Sequence, residues 1–403
     1  MDAFDRLKLL SDMMELEPAE EHTSPHLSTP GGKRTAPDNR GVHASRGLPD
    51  SRKAEALCIY PAVMPNGKRL PMLKTLLTSA CERNCYYCPF RAGRDFRRAT
   101  FKPDEMAQTY MALHRAGIAH GLFLSSGVAA GGVHTQDLLI DTAEILRKKY
   151  AFGGYIHLKL MPGAEYDQVL RAMQLTDRVS INLEAPTPEQ LVRLAPSKYF
   201  YSELFQPLRW VEQIRQTQPE HLAWKGRWPS STTQFVVGAA GESDLELLAT
   251  TSHLHQQAGL GRAYFSSFHP IQDTPLENLP AENPARELRL YQASFLLRDY
   301  GFELEELPFK ADGHLPLDRD PKLAWAHQHL SQQPVEINRA GREELLRIPG
   351  IGPKSAKAIL HARRVSSLCS LSDLKKIGVD PARATSFILL EGKRPPVQLA
   401  LDL

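Results

Sequence analysis

SACERNCYYCPF, residues 79–90, sets Cys81, Cys85 and Cys88 in a C-x3-C-x2-C array, in a chain with only two other cysteines, Cys58 and Cys369. An odd number of cysteines with three clustered does not make a disulfide framework. In a reducing compartment it points to a metal or redox site. Three thiolates can hold three irons of a 4Fe–4S cluster and leave the fourth iron open to a ligand, whereas four would close it. Zinc, completed by a His or Cys from elsewhere, is the other reading, although zinc knuckles usually pair their ligands as C-x2-C. Pro89 ends and stiffens the loop.

The array directly follows the β-rich run LKTLLTS (73–79). GLFLSSG (121–127), YIHLKLM (155–161), VSINLE (179–184), TTQFVVG (232–238) and AYFSSFH (263–269) repeat that pattern. Helix-like stretches lie between them, including the long insert YFYSELFQPLRWVEQIRQ (199–216). Strand and helix in sixfold alternation imply parallel strands with right-handed crossovers. The expected fold is α/β, a partial (β/α)6 barrel over 56–310, with chemistry at the C-terminal strand ends. PARELRLYQASFLLRDYG as a helix and FELEELPF as a strand are expected to close it. Before it come an N-terminal helix (1–17) and a loose Pro/Gly/Ser-rich segment (18–55). After it come a linker (311–333), a small all-α domain (334–393) and a Pro-led tail (394–403).

The chain has 403 residues, a net charge of +3, no run of 18 apolar residues, and an N-terminus unlike a signal peptide. The expectation is a cytoplasmic protein with no membrane partner. The near-neutral charge hides an asymmetry. From Pro334 onward, 12 Lys and Arg face 7 Asp and Glu. A basic module of this kind points to nucleic acid, with a solvated helical face as the alternative. The cluster loop is also basic: Arg83, Arg91, Arg94, Arg97, Arg98 and Lys102 face only Glu82 and Asp95. Such a loop would draw an anionic substrate, or else form salt bridges within the barrel rim.

C-x3-C-x-aromatic-C after the first of six β/α units resembles the signature of radical S-adenosylmethionine (SAM) enzymes, over about residues 56–310. The resemblance implies that Cys81, Cys85 and Cys88 hold a 4Fe–4S cluster whose open iron chelates SAM. It implies cleavage of SAM to a 5′-deoxyadenosyl radical that abstracts hydrogen from a substrate, fed by an unknown electron donor. Tyr87 holds the aromatic position near the adenine. Ser125, Ser126 and Gly127 stand where the family often has Gly-Gly-Glu for the methionine amino group, so the acidic residue is missing. Asn182 and Glu184 resemble a pair that contacts the ribose. Gly238 matches a strand glycine that packs on the adenine, and FHPIQDTPLEN (268–278) resembles a recurrent family loop. Cys58 reads as a buried inert thiol or a hydrogen donor.

PVEINRAGREELLRIPGIGPKSAKAILHARR (334–364) carries the second signal. A helix stops at Pro349, Gly350-Ile351-Gly352 turns, and Pro353 opens another helix, where its missing N–H costs little. The glycines and the helix N-terminus suit a phosphate, with Lys354, Ser355 and Lys357 following. The pattern resembles a helix-hairpin-helix DNA-binding motif, which reads backbone shape rather than sequence. In a poorer second copy, LSDLKKIGVDPARATSFIL (371–389), Asp380 replaces the second glycine, so packing is expected there instead of phosphate binding. The ending QLALDL fits Q-x-x-L-x-L and resembles peptides that dock on the bacterial DNA sliding clamp, through Gln398, Leu401 and Leu403. The whole chain resembles a bacterial family of DNA modification or repair radical SAM proteins, which implies DNA as substrate and a nucleoid-associated location. RNA or protein as substrate, and a metal-stabilised DNA-binding adaptor, are the alternatives.

Overall fold

The computed structural model describes residues 2–14, 57, 59–63 and 67–396. The expected segment 18–55, Cys58, and the tail residues Gln398, Leu401 and Leu403 lie outside them. Among the described residues no helix is long and apolar enough to cross a membrane. The chain divides into two compact units, Met1–Glu242 with Leu254–Glu282, and Ser243–His253 with Asn283–Leu403.

The first unit is built on one seven-stranded sheet. Its strands are β1 (Ile59–Val63), β2 (Arg69–Leu76), β3 (Gly121–Ser125), β4 (Tyr155–Lys159), β5 (Arg178–Ser180), β6 (Ser230–Val237) and β7 (Arg262–Ser267), paired in sequential order. β2 to β7 run parallel, and β1 is antiparallel to β2. The six parallel strands form the expected partial barrel, a curled half-barrel with helices. β1 lies ahead of the six repeated runs and is an addition to them. The crossovers contain α2 (Pro103–Arg115), α3 (Gly132–Glu144), α4 (Tyr166–Leu175), α5 (Pro188–Leu194) with α6 (Gln206–Thr217), and α7 (Asp244–Gln257).

Period-two alternation explains why each strand reads as a near-continuous buried run. Leu76, Ser125, Lys159, Asn182, Gln234 and Ser266 share the inner face and line a cavity. The alternate positions Leu73, Leu122, Leu124, Ile156, Leu158 and Val179 are also buried, on the face that carries the helices. Lower on the inner face, Phe123 meets His157 edge-on at 4.5 Å and His157 bonds Ser180 at 2.9 Å. The N-terminal helix α1 (Ala3–Met13) starts at Asp2, whose side chain accepts the Asp5 N–H at 2.7 Å. It buries Leu7 and Leu10, and Arg6 pairs with Glu105 at 3.2 Å.

The second unit differs from the sequence expectation in three places. Residues 283–310 belong to it and not to the barrel. One buried and one partly exposed ion pair tie these residues to the rest of the unit. Arg286, on α8 (Pro284–Asp299), bonds fully buried Asp244 at 2.7 Å, and Asp244 also accepts the Leu315 N–H at 2.8 Å. Arg347 bonds Glu306 at 2.8 Å and the carbonyls of Tyr300 and Gly301 at 3.1 and 2.8 Å. FELEELPF is not a strand. The Glu306 carboxylate accepts the Glu303 N–H at 2.8 Å and closes a 3-10 turn, Leu304–Glu306. The expected linker 311–333 contains α9 (Pro321–His329), started by the Asp320 side chain on the Leu323 N–H at 2.9 Å. Ala324, Trp325 and Ala326 bury that helix.

The hairpin module follows with α10 (Arg342–Arg347), α11 (Pro353–Ala362) and α12 (Leu371–Lys376). It is not purely helical: β8 (Val335–Glu336) and β9 (Ile388–Leu389) form a short parallel ladder.

Candidate active site

The cysteine loop joins β2 to α2. Arg98 holds it in shape, donating to the carbonyls of Ser79 (2.7 Å), Phe90 (3.1 Å), Arg91 (2.9 Å) and Arg94 (3.2 Å). Thr78 and Thr100 bridge its base at 2.6 Å. Gly127, at the end of β3, packs against the loop: a Cβ there would lie 2.3 Å from the Ala80 oxygen and 3.1 Å from Cys81 Cβ. Only a glycine fits this approach.

Cys81, Cys85 and Cys88 line one cavity of about 430 Å³, within the range of small-molecule sites. The Val128 N–H donates to the Cys81 sulfur and the Phe90 N–H to the Cys88 sulfur, each at 3.4 Å. Such donors stabilise thiolates. Burial pushes the Cys85 thiol up, opposed by Lys198. Among the described residues, no group of three or more His, Cys, Asp or Glu converges as a single metal ion requires. An iron–sulfur cluster makes a different demand. Each thiolate takes a separate iron, so the sulfurs must surround a volume instead of meeting at a point.

Tyr87, Ser125, Ser126, Gly127, Asn182 and Glu184 line the same cavity. So does Phe268–Ile271, the start of the loop after β7. Gly238 does not. Its φ is +96°, and a Cβ there would strike the Glu282 side chain at 2.3 Å, so its lack of a side chain serves that packing. Ser126 Oγ, Asn182 Oδ1, Glu184 Oε2 and Gln234 Oε1 are buried and have no hydrogen-bond partner among the described residues. Buried polar atoms are nearly always satisfied, so these four mark where a polar ligand completes the wall. Leu160, Met161, Ile181 and Val236 supply apolar lining between them. A nucleoside-sized ligand with hydroxyl and amino groups fits that mixture.

Glu184 is held with unusual force. Its φ is +67°, a left-handed conformation that is costly for a side chain bearing a Cβ. The backbone stays there because its N–H bonds the Gln234 carbonyl at 2.9 Å and its carbonyl accepts the Val236 N–H at 2.8 Å. The carboxylate pairs with Lys198 at 2.9 Å, both side chains nearly inaccessible. Burial works against the Lys198 charge, but Cys85 and Glu184 outweigh it and hold the ammonium above its ordinary value. Burial, with Glu184 and the cysteines, keeps the Tyr87 hydroxyl well above the usual phenol range.

Lys198, Lys159 and Gln234 are cavity residues that the sequence reading missed. Gln234 and Lys159 could have been found from the period-two alternation, because Lys159 ends β4 and Gln234 lies an even number of residues, four, before Gly238. Lys198 gave no such signal. It follows α5 in a loop and reaches the wall only through tertiary packing.

A radical SAM superfamily model matches residues 75–217, and a helix-hairpin-helix model matches residues 330–382. The chain contains a radical SAM domain. Enzymes of the radical SAM superfamily use a 4Fe–4S cluster and SAM, and the cavity described above lies within this domain's sheet. Among solved structures, the chain is similar to the FeFe-hydrogenase maturase HydG from Carboxydothermus hydrogenoformans, at 16% identity over 56% of this chain and 51% of that one, TM-score 0.44. It is similar to methylornithine synthase (PylB), at 14% over 56% and 61%, TM-score 0.43. It is also similar to the radical SAM methyltransferase TsrM from Kitasatospora setae, at 16% over 52% and 39%, TM-score 0.36. The match takes in about half the length of the hydrogenase maturases. No curated protein matches the chain.

The helix-hairpin-helix motif has its own geometry. Gly350, exposed with φ +83°, makes the turn, and the Ile351 N–H bonds the Ile348 carbonyl at 3.1 Å. Gly352 precedes α11, and its carbonyl accepts the Ala356 N–H at 2.8 Å. Lys354 and Lys357 are exposed, Ser355 half-buried. Buried Lys322 donates to the Ile351 carbonyl at 2.6 Å and braces the turn from behind. In the second copy Gly378 keeps its left-handed turn, but the Asp380 side chain accepts the Ala382 N–H at 3.1 Å and Val379 is buried. In place of a second helix, a 3-10 turn, Thr385–Phe387, leads into β9.

Proposed function

We propose that this protein is a radical SAM enzyme that acts on DNA, modifying or repairing it. The reading is carried by one observation: the cavity lined by Cys81, Cys85 and Cys88 shares a chain with a Gly350–Gly352 hairpin whose Gly350, Lys354 and Lys357 are exposed. Cys81, Cys85 and Cys88 would hold the cluster. A cluster and SAM held there would supply the chemistry of hydrogen-atom abstraction from the substrate. Ser125 and Ser126 would receive the methionine end of SAM, Asn182 and Glu184 the ribose, and Tyr87 the adenine. Lys198 holds the Glu184 carboxylate in place for that contact. Gly350, Gly352, Lys354, Ser355 and Lys357 would grip a phosphate backbone without reading sequence. Gln398, Leu401 and Leu403 would dock the chain on the sliding clamp, raising its concentration near DNA. The electron would come from a separate donor.

The test is anaerobic reconstitution with iron and sulfide, then SAM, a reductant and perdeuterated DNA. Wild type is expected to take up iron and to yield 5′-deoxyadenosine carrying deuterium. Cys81→Ala, Cys85→Ala and Cys88→Ala are each expected to yield none. Stoichiometric zinc with no iron uptake would overturn the radical reading. Unlabelled 5′-deoxyadenosine across damaged and undamaged DNA would move the substrate to RNA or protein. Deleting residues 398–403 is expected to abolish clamp binding in a pull-down and to leave DNA affinity unchanged.

A further inference from the structure

The segment after α5 does two things at once. Lys198 turns into the cavity wall, and the next residue, Tyr199, turns out to solvent. Tyr199 is 70% exposed and Tyr201 is 66% exposed, while Phe200 between them is 8% exposed. Both rings follow directly on Lys198, a residue of the cavity wall, and their segment is tied to the cysteine loop. The Tyr199 N–H bonds the Glu203 carboxylate at 2.9 Å, and Glu203 pairs with Arg83 of the cysteine loop at 2.6 Å. The Asn84 N–H bonds Ser197 Oγ at 3.2 Å, and Arg83 also donates to the Ser197 carbonyl. Tyr201 stands edge-on to Phe200 at 5.3 Å and to Phe205 at 6.4 Å, so its ring is braced.

The cysteine loop beside them keeps its positive charge. Arg98 spends its donors on four neutral carbonyls. Arg94 bonds the carbonyls of Gln272 and Pro89 at 3.0 and 3.1 Å, and Arg91 bonds the Asn84 side-chain carbonyl. Arg97 is exposed. Bonds to carbonyls fix a guanidinium without cancelling its charge. Among the described residues, Arg83 alone of these arginines pairs with a carboxylate, that of Glu203.

We infer that this rim binds single-stranded DNA, with bases stacked on Tyr199 and Tyr201 and phosphates drawn to the loop arginines. The inference rests on the DNA reading above and names how the strand meets the cavity. A base in a duplex cannot enter a cavity of about 430 Å³; it must leave the stack, at a cost of a few kcal/mol. Aromatic rings at the mouth replace the lost stacking for its neighbours, and arginines answer the backbone charge. An acidic peptide would use the charge but would have no need of two presented rings.

The experiment uses the full reconstituted chain carrying Lys354→Glu and Lys357→Glu, which silences the hairpin. Anisotropy of a short fluorescein-labelled oligothymidine measures affinity, with its duplex and an oligouridine as further arms. Tyr199→Ala with Tyr201→Ala is expected to weaken single-strand binding by about tenfold or more. Tyr199→Phe with Tyr201→Phe is expected to keep it, because stacking needs the ring and not the hydroxyl. Iron content and 5′-deoxyadenosine formed without DNA should be equal in all variants. Unchanged affinity in the alanine variant overturns the inference. So does an equal loss in the phenylalanine variant, or binding confined to the RNA strand. Wild-type chain given perdeuterated DNA separates the two readings. Deuterium transfer with binding indifferent to the tyrosines sinks the rim alone. Tyrosine-dependent binding without transfer sinks DNA as the substrate and leaves the rim standing.

Discussion

The cysteine cavity and the Gly350–Gly352 hairpin both depend on glycine, yet they are built on opposite terms. At the cavity, Gly127 lets the end of β3 touch the cysteine loop, and Ser126, Asn182, Glu184 and Gln234 each keep a buried oxygen with no partner among the described residues. At the hairpin, the side chains behind the turn are already engaged: Lys322 on the Ile351 carbonyl, and Arg383 on Asp320. What faces out is backbone and two lysines. A buried wall with open hydrogen bonds discriminates sharply, because a ligand that fails to return them leaves a desolvated polar atom. An exposed hairpin binds by charge and shape, tolerates any sequence, and weakens with salt.

Gly127→Ala should break the first side of this contrast. Its Cβ would meet the Ala80 backbone oxygen at 2.3 Å, so the cysteine loop must move. Overpacking of this kind typically costs about 1–3 kcal/mol, and here the cost falls on sulfur positions. The expected outcome is a folded chain by circular dichroism that has lost most of its iron. Full iron content would mean that the loop yields without consequence.

Lys354→Glu with Lys357→Glu addresses the second side. Duplex affinity should fall about tenfold at moderate salt, and the slope of log affinity against log salt should shrink by about 2. The loss should be the same for unrelated sequences, and iron content should not change. A loss confined to one sequence would mean that the hairpin reads bases.

The smallest expected effect concerns Lys322. Burial lowers its ammonium from 10.5 to about 7, with Arg383 and Arg347 adding to the fall and Asp320 opposing it. Below about pH 7 the lysine is charged in both folded and unfolded chains, and the penalty for burying that charge is fully present. Between about pH 7 and the ordinary lysine value near 10.5, the unfolded chain binds a proton that the folded chain lacks, so stability rises with pH. Lys322→Met should remove that rise. The check is the difference in unfolding midpoint between wild type and variant from about pH 6 to about pH 10. Parallel curves would show that the lysine does not titrate there.

Much of this was legible beforehand. The six runs that begin with LKTLLTS became β2 to β7 in order, because parallel strands buried on both faces have few other ways to be written. The cavity residues at strand ends were legible for the same reason: once a strand is placed, its last inward side chain faces the barrel mouth. FELEELPF misled because its alternation is that of a strand, while Glu303 and Glu306 close a turn on each other. The helix at 321–329 was hidden in a stretch that looked like a linker, although Asp320-Pro321 is a helix start in its own right.

The sequence by itself determined the order of the strands, the three cysteines on the loop after the first parallel strand, and the glycine turn ahead of α11. These follow from local rules: side-chain period, the spacing of ligands, and the conformations open to glycine. Only the tertiary structure decided that Lys198 neutralises Glu184, that Gly238 makes room for Glu282, and that Ser197 and Glu203 hold the segment of Tyr199 and Tyr201 to the cysteine loop. Each of these depends on groups that the chain brings together from distant positions, and no local pattern encodes which one will arrive.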